Sequence, residues 1–130
     1  IDRRSDMPKE DRPRLPMPSD ARKVVEFFQA TRLEATGYTV HCHAGVHRST
    51  AVGLALLYLE TGSEKAAAAE LLRLKPLPMP NRRLVRLFDR LLGSRLAGET
   101  ESLWNRARDY LEDRICIDPD DYLEELEEAE

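Results

Sequence analysis

TVHCHAGVHRSTAV, residues 39–52, sets one cysteine and three histidines between a short apolar run and a long one. Three readings compete for it: a metal site, a structural turn, or a nucleophile held in a cradle for an anion. Before the loop, Tyr38–Thr39–Val40–His41 reads as a short buried strand that ends at Cys42. After it, from Arg48 or Ser49, the chain is apolar almost all round through Ala51, Val52, Leu54, Ala55, Leu56, Leu57 and Leu59. That is the pattern of a helix in the middle of a domain, and Gly62 ends it. The stretch is therefore expected to run strand, loop, buried helix.

This order suits phosphate chemistry. A tight loop feeding a helix N-terminus turns its backbone N–H groups inward, and with the helix dipole they make an anion cradle. The cradle residues are His43, Ala44, Gly45, Val46, His47 and Arg48, and Gly45 allows a backbone angle that other residues resist. Arg48 can grip two phosphate oxygens at once, which a lysine does less well. The same cradle lowers the pKa of the Cys42 thiol below its ordinary value of about 8.5, so that a thiolate nucleophile exists at neutral pH. Ser49, at the helix start, is placed to donate a hydrogen bond to that sulfur when it departs as a thiolate.

The alternatives account for less. A zinc site built from His41, Cys42, His43 and His47 lacks a further partner at a usual spacing, because Cys116 is remote, and it would place the Arg48 cation beside a metal. No metal and no cofactor is expected. A sulfurtransferase loop is a closer rival, disfavoured by Ala44–Gly45 and by the Arg–Ser–Thr entry to the helix.

Working outward, residues 1–18 carry four prolines and nine charged residues and read as a loop. Ser19 is the expected N-cap of a first helix, with Val24, Val25, Phe27, Phe28 and Leu33 at helical spacing until Gly37. Ser63 caps a third element through Leu74, before the breaker PLPMP at 76–80. Asn81 caps a fourth, with Leu84, Val85, Leu87, Phe88, Leu91 and Leu92 inward and Gly93 at its end. Two more helices are expected beyond Gly98: roughly Glu101 to Arg114, and one opened by Asp118–Pro119. Trp104, Tyr110 and Leu111 read as packing residues, and Cys116 as a buried apolar one.

With 130 residues and 34% charged side chains, the chain has room for one domain and appendages. No apolar run has membrane-spanning length, and two cysteines do not make a disulfide framework, so a reducing cytoplasm is expected and no membrane partner. The net charge of −4 divides into +6 on residues 1–98 and −10 on residues 99–130. The first segment can attract an anion and the second repels one. Residues 1–98 are read as the catalytic domain and 99–130 as an acidic helical extension, whose end YLEELEEAE is a solvated face or a surface for a partner. Acids nearly balance bases in the N-terminal loop, which sets nucleic acid aside.

HCHAGVHRST, residues 41–50, resembles the His-Cys-x-x-Gly-x-x-Arg-Ser/Thr signature loop of cysteine-based phosphatases, closest to the dual-specificity-like and bacterial tyrosine phosphatases. Pro80–Asn81 resembles the Pro-Asn that opens the family's next supporting helix, and the likeness runs from residue 19 to 93. It implies an α/β fold, a parallel sheet flanked by helices, and hydrolysis of phosphotyrosine or of dual-specificity phosphoprotein substrates. By it, Cys42 is the nucleophile, Arg48 the phosphate clamp, Ser49 the thiolate partner, and His41 and Asn81 supports of the loop. The family's general acid is an Asp in the loop before the first helix. Asp11, in an Asp-x-Pro context, is the choice here, with Asp6 and Asp2 the competitors.

Two features depart from the family. One clear strand is offered and the chain opens near the acid loop, so the N-terminal strands of the sheet are expected in a longer chain, another segment or another subunit. His43 and His47 are additions inside the loop, read as solvent-facing decoration or as a rim for polyanions such as phosphoinositides. A phosphoinositide phosphatase and a catalytically silent phosphate-binding module are the alternatives to a protein phosphatase.

Overall fold

The computed structural model describes residues 15–40 and 47–114. They form five helices: α1 (Pro18–Thr31), α2 (Arg48–Thr61), α3 (Glu64–Leu74), α4 (Arg82–Leu92) and α5 (Leu96–Arg114). No strand occurs among the described residues, which overturns the expected α/β parallel sheet. Tyr38–Val40 has the composition of a strand, but a strand exists only through the ladder it shares with a neighbour, and none of the described residues supplies one.

Local chemistry sets most helix ends. Ser63 accepts the Ala66 N–H at 3.2 Å and Asn81 accepts the Leu84 N–H at 2.9 Å, each satisfying an orphan donor of the first turn. Gly62 and Gly93 close α2 and α4 in the left-handed conformation, with φ of 72° and 67°. The start of α1 differs from the expected Ser19 cap. Pro18 occupies the first helical position, where its missing N–H costs nothing, and Asp20 reaches back to the Met17 N–H at 2.7 Å. The helix also stops six residues before Gly37. Thr31 bonds its hydroxyl to the Phe27 carbonyl and to the Tyr38 hydroxyl, and Leu33, beyond the end, is 95% exposed. α5 begins five residues before the expected Glu101, because its cap is a carboxylate from another helix, Asp89 of α4.

α2 packs against α3 and α4 and more lightly against α1; α5 lies on α4 and α3. Ala51, Leu54 and Ala55 of α2 join Ala67, Ala68 and Leu71 of α3 and Leu84, Val85, Leu87 and Phe88 of α4 in one core. A β-carbon at Gly53 would meet the Leu71 side chain at 3.7 Å, so the first two of these helices approach closely. The even apolarity of α2 is only partly used. Val52, Leu56, Leu57 and Leu59 are half-buried, and cavities of about 360 and 380 Å³ lie between this face and Tyr38 and Val40.

α5 crosses residue 98 without a break and buries Leu103, Trp104 and Ala107, whereas Tyr110 is exposed. Cys116 and the acidic end at 122–130 lie outside the described residues. Among the described residues, no helix is long and apolar enough to cross a membrane.

Candidate functional site

Arg48 opens α2, and its half-buried side chain lines a cavity of about 300 Å³ together with Pro16, Asp20 and Leu84. Three elements build this site: the segment entering α1, the first turn of α2 and the first turn of α4. Arg83 of α4 ties two of them together by donating from Nε to the Pro16 carbonyl at 2.6 Å. Arg48 brings a guanidinium to the lining and Asp20 a carboxylate, and the positive end of a helix dipole favours an anion near a first turn.

The α2 N-terminus itself differs from the other four. Asp20, Ser63, Asn81 and Asp89 each place a side-chain oxygen at the start of a helix. At α2 the N-cap residue is His47, whose side chain makes no cap hydrogen bond, and the first turn carries no acid. A first turn with no acid, behind an N-cap residue whose side chain does not cap it, suits an anion. Ser49, buried in that first turn, is within the same structural unit.

His47 is 1% exposed, which corrects its reading as a solvent-facing decoration or rim. Its ring lies parallel to the Trp104 indole, with centroids 5.3 Å apart and planes 6° apart, and Nδ1 meets the Met79 carbonyl at 2.7 Å. A carbonyl only accepts, so Nδ1 carries the proton. Nε2 is buried with no hydrogen-bond partner among the described residues. The His47 carbonyl takes the Asn81 N–H at 2.9 Å, the Ala51 N–H at 3.1 Å and the Thr50 hydroxyl at 3.0 Å. Asn81 thus touches the loop exit through its backbone while its side chain caps α4.

Trp104 completes the cluster from α5. Fully buried, it donates from Nε1 to the Pro80 carbonyl at 2.8 Å, and the Arg82 guanidinium carbon lies 4.2 Å from its ring centroid. Arg82 in turn pairs with Glu101 of α5 at 2.8 Å. No signal local to the loop announces this arrangement, because Trp104 belongs to a different helix far along the chain.

Of the other site residues read from the sequence, His41, Cys42, His43, Ala44, Gly45, Val46 and the competing acids Asp2, Asp6 and Asp11 lie outside the described residues. Those that are described, His47, Arg48, Ser49 and Asn81, lie at the junction of α2 and α4. Among the zinc ligands considered, only His47 is described, and its Nδ1 is engaged by the Met79 carbonyl. Compared with known proteins, the chain matches no protein-family model, no curated protein and no solved structure.

Proposed function

We propose that the chain hydrolyses phosphomonoesters through a phosphocysteine on Cys42, acting on phosphotyrosine or dual-specificity phosphoprotein substrates. The observation that carries this reading is the position of Arg48, first residue of α2 and part of the lining of a cavity, six residues after a cysteine. A guanidinium there, with the first-turn amides, suits the equatorial oxygens of a transferring phosphoryl group.

In the first step the Cys42 thiolate attacks phosphorus, the phosphorus–oxygen ester bond breaks, and the departing oxygen takes a proton from Asp11. In the second, water attacks the phosphocysteine and loses a proton to the same carboxylate. The sulfur–phosphorus bond then breaks, with the Ser49 hydroxyl donating to the thiolate that leaves. Arg48 holds the phosphoryl oxygens throughout, and inorganic phosphate is the product.

The test is acid quench during turnover of an aryl phosphate, followed by peptide mass mapping. A phosphoryl adduct on Cys42 is expected, together with alkylation of Cys42 by iodoacetate that vanadate prevents. Ser49→Ala is expected to accumulate the adduct. Vanadate protection without turnover or adduct would make the chain a phosphate-binding module instead, and an unprotected Cys42 of ordinary reactivity would end both readings.

A further inference from the structure

The connection between α3 and α4 contains PLPMPN at 76–81, with Pro78 and Pro80 fully buried. Prolines contribute no N–H groups, so the buried carbonyls of this segment need donors from elsewhere. Two side chains supply them. His47 Nδ1–H serves the Met79 carbonyl and Trp104 Nε1–H serves the Pro80 carbonyl, while the Asn81 N–H returns a bond to the His47 carbonyl. Three consecutive residues of a stiff segment are thereby bonded to the residue that precedes Arg48 and to the indole stacked on it.

We infer that His47 is a positioning residue for Arg48, clamped by Trp104 so that α5 and the α3–α4 connection together fix the direction from which the guanidinium enters the phosphate site. The inference rests on the proposed phosphatase reading. A flexible loop exit would let the Arg48 backbone rotate with its helix turn, and bidentate contact with a phosphoryl group tolerates only small displacements. The imidazole is suited to this task because it combines a flat face for the indole with a donor at Nδ1. Its cost is visible in Nε2, buried without a partner among the described residues, a cost that a phenylalanine of similar shape would not carry.

The experiment compares His47→Phe, which keeps the stacked ring and loses the donor, with His47→Asn, whose amide nitrogen restores a donor near the Nδ1 position. Trp104→Phe, which keeps an aromatic face and loses the bond to Pro80, is the third variant. Helix content by circular dichroism and the melting temperature check that each is folded. With an aryl phosphate, His47→Phe is expected to lower kcat by about 10- to 100-fold and to weaken vanadate by a similar factor, with KM moving less than about threefold, since vanadate and the transition state share the geometry that Arg48 must meet. His47→Asn should recover part of that loss, and Trp104→Phe should fall in the same direction by less. A folded His47→Phe with wild-type kcat and vanadate affinity overturns the role of His47, as does a His47→Asn as impaired as the phenylalanine variant. If His47→Phe does not fold, a folded Trp104→Phe with wild-type kcat overturns the clamp. A wild-type protein that neither forms the Cys42 adduct nor binds vanadate instead overturns the phosphatase reading on which the inference stands.

Discussion

Asp89 of α4 holds the start of α5: Oδ1 accepts the Leu96 N–H at 2.8 Å and Oδ2 the Ala97 N–H at 2.9 Å, while the Ser94 hydroxyl donates to Oδ1 at 2.6 Å. One carboxylate thus satisfies two orphan amides of a first turn and opposes the positive end of the helix dipole. Because α5 carries Trp104, this cap bears on the proposed phosphate site as well as on the fold.

Asp89→Ala is expected to destabilise the protein by about 1–2 kcal/mol, the range for loss of a charged cap, and Asp89→Asn by less, since an amide still offers one oxygen. Urea unfolding followed by Trp104 fluorescence measures both. Equal stability of Asp89→Ala and wild type would show that the two amides find water at no cost.

Glu70 and Arg73 form a bidentate pair one helical turn apart on α3, with Arg73 Nε 3.0 and 3.1 Å from the two carboxylate oxygens and a terminal nitrogen also in contact. The hydrogen bond from Arg73 lowers the Glu70 pKa; desolvation opposes it to a lesser degree, and the guanidinium charge adds a still smaller lowering. A depressed folded value means that the stabilisation is present above the unfolded value and is lost as pH falls through the folded one. The pair is solvent-exposed, so salt weakens it. Glu70→Gln should therefore melt slightly lower than wild type at neutral pH, with the gap closing in acid and in high salt. A gap that persists in both would assign the effect to packing.

How much of this was legible beforehand depended on whether the deciding atoms are neighbours in sequence. Ser63, Asn81, Gly62 and Gly93 act within one turn of their own helices, and those ends are found where their residue types place them. The start of α5 is set by a carboxylate seven residues away in another helix, and a search for local caps passes over it. Tyr38–His41 reads as a strand from side-chain pattern alone, yet pairing is a relation to a second segment and the pattern contains no such information. His47 departs from its expected exposure for a related reason. A histidine in a polar loop is ordinarily solvated, whereas here Trp104 stacks on the ring and the proline-rich connection bonds it. Arg48 and Ser49, by contrast, are found at the start of α2, where the switch from loop to apolar helix placed them.

Arg48→Lys is the direct test of the cavity. A lysine retains the charge and the chain length to reach the same wall but offers a point charge in place of two parallel donors. Turnover of an aryl phosphate is expected to fall by about 100- to 1,000-fold, the scale for losing a donor aimed at transition-state charge, with iodoacetate alkylation of Cys42 retained. Retained alkylation separates loss of the clamp from loss of the fold. A lysine variant with more than about a tenth of wild-type turnover would make Arg48 an electrostatic attractor only.

The last prediction separates two aspartates. Asp11 is the proposed proton donor, whereas Asp20 lines the Arg48 cavity and is bonded to the Met17 N–H at the start of α1. Loss of a general acid penalises poor leaving groups most, because an oxygen that departs unaided needs no proton. Asp11→Asn should steepen the dependence of rate on leaving-group pKa and erase the alkaline limb of the pH profile. Asp20→Asn should do neither. The asparagine keeps an oxygen for the Met17 amide, so α1 stays intact, and what disappears is a negative charge beside the proposed phosphate site. Phosphate should therefore protect Cys42 at a concentration about two- to fivefold lower than in wild type, matching the ~1 kcal/mol typical of partly solvated charges a few ångströms apart, and the difference should shrink in high salt. If Asp20→Asn steepens the leaving-group dependence and Asp11→Asn does not, the acid is Asp20. A shallow dependence in both variants, and in those of Asp2 and Asp6, leaves the chain without a proton donor of its own and overturns Asp11 as the acid.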